Sequence, residues 1–158
     1  MSIKIFTDGS SRGNPGKGGY GVVLLSGKYR KEISCGFNIT TNNRMELLAV
    51  IVGLEAVKKE NSIITVYSDS KYVVDAVEKK WVFGWEKKSF KSKKNPDLWV
   101  RFLKVYRKQK VSFVWIKGHS NIEENERCDF LAVEASKSNY LIKDLWYEQK
   151  IIENNRLF

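Results

Sequence analysis

Cysteine is scarce in this chain, and the two present, Cys35 and Cys128, stand far apart in apolar surroundings. That excludes a disulfide scaffold and fits an intracellular chain with buried thiols. Histidine occurs once, as His119, and neither it nor the cysteines show the spacing of a zinc site. No apolar run reaches the length of a membrane span, and the start "MSIKIFTDG" lacks the apolar core of a signal peptide. A cytoplasmic protein without a membrane segment is expected. Gly-Lys-Ser/Thr is also missing, which excludes a Walker-type phosphate loop. Gly16, Gly18 and Gly21 match G-x-G-x-x-G literally, but the next run, "YGVVLLS", reads as a strand where that motif needs a helix. No organic cofactor is expected.

A chain of 158 residues is most simply one domain, long enough to bury a core. Its net charge of +10 is unevenly placed. Residues 79 to 110 hold 12 Lys/Arg against 2 Asp/Glu, while the other 126 residues carry 16 of each sign. A charge serving solubility alone would be spread about. This one is a local footprint for a polyanion, or else a solvated basic segment.

"IKIFTD", "YGVVLL" and "YRKEISCGF" read as three strands, the first two joined by a long glycine-rich loop. "TTNNRMELLAVIVGLEAVKKE" reads as a buried helix, "SIITVYSDS" as a fourth strand, and "KYVVDAVEKKWVFGW" as a helix with an interruption at Gly84. "DLWVRFLKVYRKQ" is a further helix, "KVSFVWIKG" a strand and "IEENERCDFLAVEASK" a last regular helix. The order β-β-β-α-β-α-α-β-α implies an α/β fold, a mixed sheet with helices packed on it. Residues 1–137 hold these elements, and 138–158 form an extension that is either a packed helix or a tail.

Four acids attract attention, although each has a purely structural use. Asp8 can serve a turn by accepting from backbone amides. Glu46 stands three residues after Asn43, the spacing of a reciprocal helix cap. Asp69 falls where a helix N-cap is expected, and Asp129 can pair with a nearby base. Taken together they mean more. Asp8 and Asp69 lie toward the carboxyl ends of strands that can be neighbours, and Glu46 is near the start of the helix leading to the second of them. Ligand sites of open sheets collect where strand ends and helix starts converge. Carboxylates gathered there repel one another, and hard divalent cations relieve the repulsion, magnesium or manganese better than zinc.

The ordered set "TDGSSRGNPGKGGYG", "TTNNRMELLAVIVGLEA", "VYSDSKYV", "DLWVRF" and "VWIKGHSNIEENERCDFLA" resembles the ribonuclease H type 1 family across nearly all of residues 3 to 137. The resemblance implies a five-stranded mixed sheet, three antiparallel strands followed by two parallel ones, flanked by helices. It implies hydrolysis of the RNA strand of RNA/DNA hybrids, giving 5′-phosphate and 3′-hydroxyl ends. Asp8, Glu46, Asp69 and Asp129 would hold two magnesium ions, or manganese in their place, about 4 Å apart. Asp8 would bridge both ions, Asp129 would complete the site on the attacking-water side, and Glu46 and Asp69 would hold the ion facing the leaving oxygen. His119 would assist proton transfer or product departure, although a loop histidine bonded to backbone is its plain alternative.

For the substrate, the resemblance assigns Asn14, Asn43 and Glu46, with backbone groups of the glycine loop, to the minor groove, where the 2′-hydroxyl distinguishes RNA. Glycines lacking side chains would let the duplex backbone come close. Thr41 would meet a DNA-strand phosphate. The basic segment, residues 79 to 95, would grip the DNA strand through Trp81, Trp85, Lys87, Lys88, Lys91, Lys93 and Lys94, with Trp81 also readable as core. That segment is shorter than in the best-known bacterial members. Lys71 stands where glutamine is frequent, so one groove hydrogen bond is lost and a positive charge gained. No N-terminal hybrid-binding domain of the kind some relatives carry is expected, and cutting would then be less processive. A monomer is the simplest expectation. Two other readings stay open: a hybrid-binding module without catalysis, and a related-fold nuclease acting on DNA junctions or transposon ends.

Overall fold

The computed structural model describes residues 2–156. Strands β1 (Ser2–Gly13), β2 (Gly16–Ser26) and β3 (Tyr29–Thr40) form an antiparallel meander. Helix α1 (Asn42–Glu55) leads to β4 (Ile63–Ser68), then come α2 (Lys71–Glu78), α3 (Trp81–Lys87) and α4 (Pro96–Tyr106). Strand β5 (Lys110–Trp115), α5 (Glu123–Ser136) and α6 (Leu145–Asn155) complete the chain. The sheet order is β3-β2-β1-β4-β5, with β4 parallel to both β1 and β5. The mixed five-stranded sheet expected from the sequence is therefore present. Among the described residues no helix is long and apolar enough to cross a membrane.

Alternation along each strand divides the core between two faces. Ile5, Val22 and Leu24 face α1 and belong to the large cluster that includes Met45, Leu47, Ile51, Trp99 and Phe102. Phe6 and Val23 turn the other way, onto Cys128 of α5. Helix α1 is buried over almost its whole length, from Arg44 to Leu54, because the sheet covers one side and α4 another. It stops at Glu55, so Lys58 and Lys59 lie beyond it and not in its last turn.

Several local expectations are corrected. The stretch expected to be a long glycine loop is strand on both sides of a hairpin whose turn is only Asn14 and Pro15. Gly9, Gly19 and Gly21 mark places where helices press against the sheet. A Cβ on Gly9 would lie 2.3 Å from the carbonyl carbon of Met45 in α1, and one on Gly21 would lie 2.3 Å from the carbonyl oxygen of Cys128 in α5. At these two positions the bare backbone meets a packed helix. The break in the second helical run falls at Lys80, whose φ of 62° ends α2 and restarts the chain as α3; Gly84 is simply inside α3.

The C-terminal extension is a helix fastened at its entry. Ile142 donates its N–H to the Gly36 carbonyl and accepts from the Asn38 N–H, adding a short parallel bridge beside β3. Asp144 then accepts from Thr40 Oγ1 at 2.8 Å and from Arg44 Nε at 2.7 Å. Arg44 is almost wholly buried and also grips Asp97 with two bonds, at 2.9 and 2.8 Å. One guanidinium thus ties α1 to the starts of α4 and α6, with its planar fork used in both directions. Removing it strands Asp144 as a buried, unpaired carboxylate. Arg44→Ala is expected to lower stability by about 3–5 kcal/mol in urea titration. Arg44→Lys should recover little, since an ammonium cannot make both bidentate contacts.

Candidate active site

The last paired residues of β1 and β4 are Phe6 and Tyr67. Asp8 and Asp69 each lie two residues further on, so parallel register alone carries both acids past the same edge. Asp69 is not the cap of α2: Ser70 fills that place, accepting from the Val73 N–H at 3.3 Å. Likewise α1 is capped by Thr41, which accepts from the Arg44 N–H at 3.2 Å, so Glu46 has no capping duty. In both helices a neighbouring hydroxyl residue takes the structural role open to the acid.

Glu46 enters the site because α1 lies directly on Gly9. The Gly9 N–H donates to Asp8 Oδ1 at 2.9 Å and to Glu46 Oε1 at 2.7 Å, fixing both carboxylates with one donor. Ligand oxygens of Asp8, Glu46 and Asp69 all lie within 4.8 Å of one another. Asp129 comes from α5, which the bare Cα of Gly21 allows to sit close over β2. It lines the same cavity of about 260 Å³, together with Asp8, Glu46, Asp69 and His119. His119 is exposed, on the turn between β5 and α5, with a φ of 55°.

Burial raises the Asp8 pKa to about 8, and the neighbouring charges of Asp69 and Asp129 add to the effect. Glu46 is likewise pushed well above the ordinary carboxylate range, first by burial and then by Asp8 and Asp69. Among the described residues no lysine or arginine forms an ion pair with any of the four acids. An all-oxygen cluster with concentrated, uncompensated negative charge fits hard divalent cations.

The cavity has further lining residues that the sequence motifs do not single out, namely Ser10, Asn42, Asn125 and Glu126. Asn125 and Glu126 precede Asp129 by four and three positions, the spacing that shares a helix face, so periodicity is the signal that finds them. Asn125 is buried and its Oδ1 has no hydrogen-bond partner.

A second, basic groove of about 570 Å³ gathers Asn14, Thr41, Asn43, Lys93 and Lys94. It adjoins the acid cavity, since Asn14 Oδ1 accepts from the N–H of Asn42, a lining residue of that cavity, at 3.1 Å. Its far wall is α6, through Trp146, Tyr147, Lys150 and Asn154, a segment to which the sequence alone assigns no role. Lys87, Lys88 and Lys91 are exposed outside this lining. Trp81 is not core: it is 48% exposed, with Lys79 Nζ 5.2 Å from its ring, because the break at Lys80 rotates Val82 inward instead. Trp85 stands edge-on to buried Trp99 and carries Lys93 Nζ at 5.0 Å over its ring. Lys71 Nζ lies 4.9 Å from the ring of Trp115, whose indole N–H donates to the Asp69 carbonyl.

The family model described as RNase H matches residues 1–137. A "Ribonuclease H" of Trichodesmium erythraeum is 53% identical over 151 residues, spanning 92% of this chain and 96% of the relative. Among solved structures, LC9-RNase H1, a type 1 RNase H with the type 2 active-site motif, is 28% identical with a TM-score of 0.78, covering 86% of this chain and 72% of that one. LC11-RNase H1 in complex with RNA/DNA hybrid is 30% identical with a TM-score of 0.63, covering 85% and 96%.

The raised pKa values give a signed expectation for the metal-free protein. A carboxyl whose folded pKa lies above its unfolded value holds its proton longer when folded, so stability falls as pH rises through that window. For Asp8 the window runs from the ordinary value near 4 to about 8. Asp8→Asn removes the buried charge. Without divalent ions it is expected to melt above the wild type at pH 8, with the gap closing toward pH 4. Magnesium should stabilise the wild type at pH 8 and the variant much less. A variant melting below wild type at pH 8 would contradict the repulsion.

Proposed function

This chain belongs to the ribonuclease H family, and from that premise we propose that it cuts the RNA strand of RNA/DNA hybrids internally, using two divalent ions and leaving 5′-phosphate and 3′-hydroxyl ends. The observation that carries this reading is the convergence of Asp8, Glu46 and Asp69 in one cavity that Asp129 and His119 also line.

Asp8, Glu46, Asp69 and Asp129 would hold the ions, with Asp8, close to the other acids, as their shared ligand. Asp129 would serve the side of the attacking water, and Glu46 and Asp69 the side of the leaving oxygen. Magnesium, or manganese in its place, would supply an acidified water and would neutralise charge developing on the phosphodiester. The acids are held before substrate arrives, by the Gly9 N–H and by the helices pressed onto the sheet, so little reorganisation accompanies the reaction. His119, exposed at the cavity mouth, passes a proton between the cavity and solvent. No covalent intermediate with the protein is needed.

The basic groove supports a backbone grip beside the cut. Asn14 and Asn43 offer amides to the minor groove, where the 2′-hydroxyl marks RNA. Thr41, Lys93 and Lys94 set register on phosphates, with Lys87, Lys88 and Lys91 extending the positive surface and Lys71 adding charge on the other flank. All of these groups come from one chain, so a monomer suffices, with residues 1–137 as the catalytic domain.

Magnesium-dependent cleavage of end-labelled RNA/DNA hybrid, beside RNA/RNA, DNA/DNA and single strands, tests the reading. Cutting should be confined to the RNA of the hybrid and stop in chelator. Asp8→Asn should lose about a thousandfold in rate, as expected where several kcal/mol of charge stabilisation disappears. His119→Ala should lose about a hundredfold and flatten the pH profile. Tight binding without cutting would instead mark a binding module, and cutting of pure DNA a junction-type nuclease. Replacing Lys87, Lys88, Lys91, Lys93 and Lys94 by alanine should weaken hybrid binding and reduce its salt slope by about 0.7–0.9 for each phosphate no longer neutralised. An unchanged slope would place the grip elsewhere.

A further inference from the structure

The match to the family model ends at residue 137, yet α6 builds one wall of the basic groove. We propose that α6 is part of the substrate-binding surface, with Lys150 contacting a backbone phosphate of the hybrid from the side opposite Lys93 and Lys94. This rests on the reading of the chain as a hybrid-cleaving enzyme.

Three observations support it. The helix is held in place at its entry: Asp144 is locked between Thr40 and Arg44, and the Arg44 guanidinium carbon lies 5.0 Å from the Trp146 ring centroid and 5.6 Å from that of Tyr147. The same arginine bonds Asn95 and Asp97 at the start of α4, directly after the two lysines of the facing wall. The two walls therefore share one buried anchor, and their separation is set by the fold.

The charge of the opening is of one sign. Lys93, Lys94 and Lys150 line it, and among the described residues no acidic side chain does. Lysines facing one another across a gap repel, and a polyanion entering between them removes that repulsion while releasing its own counterions. Each wall also presents its lysine in a similar way. Lys150 Nζ sits 5.5 Å from the Trp146 ring, as Lys93 Nζ sits 5.0 Å from the Trp85 ring. An ammonium resting on an aromatic face is held at the rim but keeps its donors. Lys150 also pairs with Glu153 at 3.3 Å, but both side chains are about half exposed, and such a pair contributes little and yields readily to a phosphate.

Finally, the groove is continuous with the reaction centre. Asn14 and Asn43 line it, and the bond from the Asn42 N–H to Asn14 Oδ1 joins its floor to the acid cavity. A duplex lying over the acids passes along α6.

The test measures binding of a fluorescent RNA/DNA hybrid by the full chain across a potassium chloride series, in magnesium and in an Asp8→Asn background that holds cleavage off. Lys150→Ala is expected to weaken binding about threefold and to reduce the salt slope by about 0.7–0.9. Lys150→Arg should keep both, and Glu153→Gln should tighten binding by freeing the lysine. A purely structural use of Lys150 would shift the urea midpoint and leave the slope alone. If the wild-type chain cleaves the hybrid and Lys150→Ala leaves the slope unchanged, this inference falls by itself. If the wild-type chain does not cleave the hybrid, the underlying reading falls with it.

Discussion

Like charge gathered in a partly buried place is the constraint around which this molecule is built. Three carboxylates whose oxygens share a sphere of 4.8 Å would move apart, or take up protons, if the chain let them. They stay because each is delivered by an element whose position is decided elsewhere. Asp8 and Asp69 are carried by parallel register at the sheet centre, Glu46 by a helix buried along its length, and Asp129 by a helix seated on the opposite face. The cost of the cluster is met by core packing that has no part in the chemistry. A cluster held in this way has the all-oxygen chemistry that suits divalent cations.

The means of delivery is close contact between backbones. Where α1 crosses β1 and where α5 crosses β2, a single carbon atom would collide with main chain. Main chain cannot be moved aside as the end of a lysine can, so the helix over a substituted glycine would have to ride outward and take its acid along. Shifts of about 1 Å at reacting groups are enough to cost about a hundredfold in rate. The glycines near Asp8 therefore govern where the acids on the helices stand.

Much of this is legible in the sequence, and what is not has physical causes. The element order and the four acids can be read because strand and helix patterns are strong here and because the residue motifs occur together in a fixed order. The use of the glycines is hidden, since a glycine needed for a turn, for a ligand or for a crossing helix looks the same in one dimension. Trp81 reads as core although it is half exposed, because one left-handed residue, Lys80, resets helical phase, and nothing local in "EKKWVFGW" announces it. The caps fall one or two residues from their expected positions, which matters, because Thr41 and Ser70 free Glu46 and Asp69 from structural duty. Arg44 and Asp144 are a hundred positions apart, and no periodicity links them.

That last contact explains how two surfaces of opposite character can coexist so near one another. The acid cavity and the basic groove meet at the first turn of α1, where Asn42 faces one and Asn43 the other. One position on, Arg44 turns inward, where it is almost wholly buried and pairs with Asp97 and Asp144. Satisfied in the interior, it serves as a strut between α1, α4 and α6, and the field of each surface is left to its own residues. The placing of the acid cavity beside the basic groove thus depends on one buried side chain that braces the helices carrying both.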